Sequence, residues 1–161
     1  MIVVADTSVI LNLCRVQQER LLQQLFQRVL VPAQVADEYI RLVKIQPKFS
    51  GMTLPDWVEV LPAPLTFPPE VANAHLDPGE SAAIALCLSQ HADALLIDES
   101  LGREVAARLG VRTIGILGIL IESRRRGWLP GVKSILDQLE KDAGFWIAPT
   151  LRQRVLQLAG E

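Results

Sequence analysis

Cysteine is scarce in this chain. Its 161 residues include only Cys14 and Cys87, both inside apolar segments, with no CxxC pair and no secretory leader at the N-terminus. Two such cysteines argue against a disulfide-stapled scaffold, and a cytosolic setting is expected. Histidine is equally sparse, and His75 and His91 belong to no HxxxH or Cys/His pattern, which argues against a zinc centre. The longest apolar stretch, TIGILGILI ending at Ile121, falls well short of the roughly 18 to 20 residues of a membrane-spanning helix. Nor is there an excess of positive charge: the formal net charge is −2 and the sequence pI about 5.7. A nucleic-acid partner would therefore have to be held by a local basic patch or through a bound cation. Repeats, low-complexity tracts, GxGxxG and GxSxG are absent, which speaks against a solenoid, a dinucleotide binder and a serine hydrolase.

What is present is a chain 50% hydrophobic and 21% charged, long enough for one sizeable core, so a single domain over residues 1–161 is expected. IVVAD is a β-branched run that reads as a buried strand, and TSVILNL continues it as a helix. QERLLQQLFQ has amphipathic helical spacing, RVLVP reads as a second strand stopped by Pro32, and AQVADEYIRLV as the next helix. From Gln46 to Pro69 repeated prolines predict loop, interrupted by one strand, WVEVL. DPGESAAIALCLSQ predicts a helix with Pro78 at its first position. ALLID follows as a strand, SLGREVAARLG as a helix capped by Ser100 and stopped by Gly110, and VRTI as a fifth strand. GILGILIESRRRG, PGVKSILDQLEKDAG and PTLRQRVLQLAG supply three more helices, with FWI as a short extended piece between the last two. Apolar strands alternating with helices predict a doubly wound α/β architecture around a parallel sheet.

In such sheets ligands gather beyond the carboxyl ends of the strands, where strand order reverses. Asp6 closes the first strand, and Asp98 closes the fourth and is followed by Glu99. Aspartate after a strand is also ordinary turn chemistry. Glu38 lies three residues after Val35 and four before Leu42, on the apolar face of its helix, where a carboxylate needs a partner or must reach water. Glu80 precedes Ile84, Cys87 and Leu88 by helical spacings, and it also stands three after Asp77, as in a capping box that would explain it without chemistry. Together these acids point further than any one does. Two carboxylates about 4 Å apart repel by about 4 kcal/mol at an effective dielectric of about 20, so a cluster persists when cations neutralise it. All-oxygen ligation favours Mg²⁺ or Mn²⁺, and either suits phosphodiester hydrolysis.

The motifs VADTSVILNL, VPAQVADEYIRL, LDPGESAAIALC, ALLIDESLGREVAARLGV and GILGIL, in this order, resemble the PIN-domain nucleases, and more narrowly the small prokaryotic PIN-like proteins of toxin–antitoxin pairs. The resemblance covers nearly the whole chain. It implies a three-layer α/β/α fold with a mostly parallel sheet of about five strands, an acidic pocket for Mg²⁺ or Mn²⁺, and cleavage of single-stranded RNA. Asp6, Glu38, Glu80 and Asp98 match the family's acidic positions. Glu99 is implied as a ligand that shares the role of Asp98 or takes it over, since many relatives carry that acid one or two positions beyond Asp98. Ser8 matches a small hydroxyl that steadies the first carboxylate, a place where a helix cap would serve equally. The resemblance further implies a small antitoxin that sets an Arg or Lys among the carboxylates.

Arg103, Arg124, Arg125 and Arg126, with Arg108, are candidate phosphate contacts, although basic residues at a helix end also suit the macrodipole. Leu151, Val155 and Leu158 form an apolar stripe that docks on the domain itself or on a second copy as a homodimer. A receiver domain would need adjacent acids after the first strand and an Asp ending the third, and a dehalogenase-type phosphatase an acid in place of Ser8; neither pattern is met. The competing reading from another class is a non-catalytic PIN-like scaffold that binds RNA or a partner protein.

Overall fold

The computed structural model describes residues 1–161. Five strands, β1 (Ile2–Ala5), β2 (Arg28–Pro32), β3 (Glu59–Leu61), β4 (Ala94–Leu96) and β5 (Thr113–Ile114), form one sheet in the order β3-β2-β1-β4-β5. All four pairings are parallel, with Val3 opposite Val29 on one side and Ala94 on the other. The central strand is fully buried at Val3, Val4 and Ala5, which is why it reads as a continuous β-branched run rather than an alternation. Each such valine contributes roughly 1.5 kcal/mol or more by leaving water.

Nine helices complete the three-layer α/β/α arrangement: α1 (Thr7–Arg15), α2 (Arg20–Leu25), α3 (Ala33–Ile45), α4 (Pro69–Ala72), α5 (Pro78–Ser89), α6 (Ser100–Arg108), α7 (Ile116–Arg125), α8 (Lys133–Lys141) and α9 (Pro149–Leu158). α5 is the most enclosed, buried from Gly79 through Cys87 and packed on β1, β2 and β4 and on α3, α4 and α6. α2 packs against β2 and α7, and α7 carries α9. One contiguous cluster of 42 buried apolar residues runs from Val3 to Ala159, so the C-terminal helices share the core of the sheet. No helix is long and apolar enough to cross a membrane.

β2 ends at Pro32, as the sequence suggests, and there Pro32 pairs with Leu61 and caps α3. Several local expectations change. The third strand is only Glu59–Leu61, and the proline-rich stretch around it holds α4 and a 3-10 turn at Pro47–Phe49. The cap of α6 is Glu99 and not Ser100: Glu99 is the last residue with extended backbone, and its Oε2 accepts the Gly102 N–H at 2.8 Å. FWI forms no strand. In the stripe on α9 only Val155 is buried, while Leu151 and Leu158 are about half exposed.

Candidate active site

Because every strand points the same way, their carboxyl ends share one edge. The chain leaves β1 for β2 and β3 on one side and returns to β4 and β5 on the other, so the order reverses between β1 and β4. Asp6 follows β1 at that point, and its backbone N–H donates to the Leu96 carbonyl of β4 at 2.9 Å. A cleft of about 430 Å³ opens there, bordered by Asp6, Glu38, Asp77, Glu80, Asp98 and Glu99. The structure therefore brings together all five carboxylates picked out from sequence and adds Asp77.

Asp6 is 5% exposed, and its Oδ1 is buried without a hydrogen-bond donor. Burial, assisted by the charges of Asp77, Glu38 and Asp98 and opposed by the Thr7 N–H, pushes its carboxyl up to about 7. Glu80 is 8% exposed. Burial, a hydrogen bond with Asp77 and the charges of Asp77, Asp6 and Glu99 push it up to about 8. The capping box is only half formed: Asp77 Oδ1 accepts the Glu80 N–H at 2.8 Å, and no bond returns from the Glu80 side chain to the Asp77 N–H. Burial also raises Glu38, against a Thr7 hydroxyl that donates to its Oε2 at 3.0 Å. Asp98 is raised by burial, against the Ile116 N–H, 3.2 Å from its Oδ1, and the nearby Arg103 guanidinium.

Three glycines make room for these groups. A Cβ on Gly79 would stand 2.6 Å from Glu38 Oε2, one on Gly102 would meet Ile97 at 2.5 Å beside Glu80, and one on Gly115 would reach Asp98 Oδ1 at 2.5 Å. Each lies at the N-terminal end of α5, α6 or α7, whose partial positive charge favours anions. The GILGIL motif by itself does not reveal this role, because the close approach of Gly115 to Asp98 exists only once β4 and α7 meet.

Among the other residues lining the cleft, Thr7, Asn12, Lys48 and Trp146 were not singled out from sequence. Asn12 carried a signal, being four residues from Ser8 on one helical face and set within an apolar run. Ser8 lines the cleft from inside the first turn of α1 and is not its cap, which is Asp6. The hydroxyl that grips a carboxylate is that of Thr7.

The arginines are not brought to the carboxylates as a group. Arg103 is close, its Nη1 donating to the Ile97 carbonyl at 2.9 Å. Arg124, Arg125 and Arg126 end α7, and Arg126 borders a cavity with Met1 and Arg112 at the opposite, amino edge of the sheet. Arg125 and Arg126 pair with Glu122, and Arg124 bonds to the Leu129 carbonyl. A helix running back across the sheet from Gly115 carries its last turn away from the cleft, so the run does not flank the acids.

No three His, Cys, Asp or Glu side chains converge into a ready-made metal-ligand group. Glu38, Asp98, Asp77 and Glu99 are each held by a protein donor. The donor set nevertheless suits a hard cation, being all oxygen with neither histidine in the cleft, and the orphaned Asp6 Oδ1 is an acceptor that a cation would satisfy. Comparison with curated proteins finds no match. The PIN-domain family model matches residues 2–161, and with the parallel five-stranded sheet and its acidic edge this shows that the chain belongs to the PIN-domain family, a fold of nuclease type whose nucleases generally use divalent metals.

Proposed function

We propose that this protein is a Mg²⁺- or Mn²⁺-dependent endoribonuclease that hydrolyses phosphodiester bonds of single-stranded RNA, acting in the cytosol as the toxin of a toxin–antitoxin pair. The observation that carries the reading is the buried, donorless Oδ1 of Asp6 at the reversal point of the sheet, surrounded by Glu38, Glu80, Asp98 and Glu99.

Asp6, Glu38, Glu80 and Asp98, with Glu99 beside them, would hold the cation. A divalent cation supplies Lewis-acid charge against a phosphate and acidifies bound water. The chain's own part is positional. Thr7 fixes the Glu38 carboxylate, the Ile116 N–H fixes Asp98, and Gly79 and Gly115 let both approach their helix ends. Glu80, pushed up to about 8, holds a proton near neutrality that it can lend to an oxygen or release on cation binding. The antitoxin we propose is a small protein that neutralises the same acids with an Arg or Lys. A homodimer through the exposed Leu151 and Leu158 belongs to the same proposal.

The engagement of four carboxylates with protein donors favours a second reading, a non-catalytic scaffold that binds RNA or a partner. Mixed single-stranded RNA incubated with purified protein and Mn²⁺ separates them. Cutting that EDTA abolishes supports the enzyme, and RNA that is bound but left intact supports the scaffold.

A further inference from the structure

Trp146 is 78% exposed, yet it does not belong to a loose loop. Ile147 after it is buried, and Phe145 before it packs on the core and donates its N–H to the Leu139 carbonyl at 2.9 Å. Across the cleft, Lys48 Nζ donates to the Ala143 carbonyl at 2.9 Å. The backbone is thus held on both sides of a large ring that is left in water. The other two tryptophans are not so placed: Trp57 packs against the core, and Trp128 lies under the Arg126 guanidinium, 5.2 Å from its ring centroid.

Trp146 lines the same cleft as the carboxylates. Six acids and one lysine border that cleft, and the lysine ammonium is engaged by the Ala143 carbonyl and the Phe49 ring, 5.0 Å away. A polyanion gains little from such a lining, so its affinity has to come from the uncharged parts of the nucleotide. Every base has a π-face, and an open indole is the side chain that takes one up without regard to sequence.

We infer that the Trp146 indole is a stacking platform for one unpaired nucleobase beside the phosphate held at the carboxylates. This rests on the ribonuclease reading above. It makes Trp146 a positioning residue that favours single strands, because a base in a duplex has no free face to offer.

The test compares the parent, Trp146→Ala and Trp146→Phe on a mixed-sequence single-stranded RNA with Mn²⁺. Stacking predicts that Trp146→Ala raises KM by roughly tenfold to a hundredfold while kcat and the melting temperature stay close to the parent's. Trp146→Phe restores most of the loss. In a Trp57→Phe/Trp128→Phe background, the remaining indole emission is quenched by the single strand and not by its duplex. A parent that cuts RNA while Trp146→Ala keeps its KM, or whose Trp146 emission ignores the single strand, overturns the platform and leaves the ribonuclease standing. A parent that neither cuts nor binds RNA overturns both.

Discussion

A Cβ on Gly115 would stand 2.5 Å from Oδ1 of Asp98 and 3.0 Å from Nη1 of Arg103, so the residue that opens α7 is also the wall of the Asp98 site. Gly115→Ala is expected to displace Asp98, lowering cleavage at least tenfold and stability by roughly 1–3 kcal/mol, as overpacking does. Gly118→Ala is the contrast. Its Cβ would meet only Ile114, at 3.5 Å, and the change should leave activity intact and stabilise α7 by roughly 0.5–1 kcal/mol. Equal activity in the two variants would show that Gly115 has no part in shaping the Asp98 site.

Asp6 is raised from 3.8 to about 7 and Glu80 from 4.5 to about 8, so both hold protons more tightly folded than unfolded. Their contribution to stability is therefore fullest below about pH 4. It declines as pH rises from roughly 4 to 8, and is gone above that, a change on the order of a few kcal/mol. Thermal melting in EDTA across this range should show the decline, and Asp6→Asn should flatten it. Added Mn²⁺ should raise the melting temperature more at the alkaline end, where the acids are ionised. A parent and an Asp6→Asn variant with the same pH profile would contradict the burial of an ionisable Asp6.

The half-formed capping box divides its two residues. Asp77→Ala removes the acceptor for the Glu80 N–H at the start of α5 and should cost about 1 kcal/mol of stability in denaturant unfolding. Glu80→Gln keeps that cap and should change stability far less than activity. Loss of stability in Glu80→Gln with full activity would return Glu80 to a purely structural role.

Much of this was legible from the chain because local chemistry and fold agree. IVVA is apolar at every position because β1 is covered on both faces, and Pro78 after Asp77 announces the start of α5. The acids were found because each ended a strand or sat on an apolar helical face. What stayed hidden depends on how distant segments meet. The approach of Gly79 to Glu38 and the grip of Thr7 on it arise only when α1, α3 and α5 pack together. Ser100 and Glu99 are both able to cap, and the backbone path decides for Glu99. The arginine run looked close to the acids in sequence order, but the length of α7 carries it to the other edge. FWI had the composition of a strand, and the structure instead sets Trp146 in water at the mouth of the cleft.

In the proposed enzyme Asp6 is the ionised heart of a cation site and not a buried structural acid. Single-stranded RNA cleavage in Mn²⁺ by the parent, Asp6→Asn and Asp98→Asn, with the melting temperature of each taken in EDTA, separates the two. Both variants should lose cleavage by at least a hundredfold while metal-free Asp6→Asn melts at or above the parent's temperature, since the amide removes a charge that burial opposes. An Asp6→Asn protein that cuts RNA as fast as the parent would make Asp6 a structural acid and remove it from the chemistry.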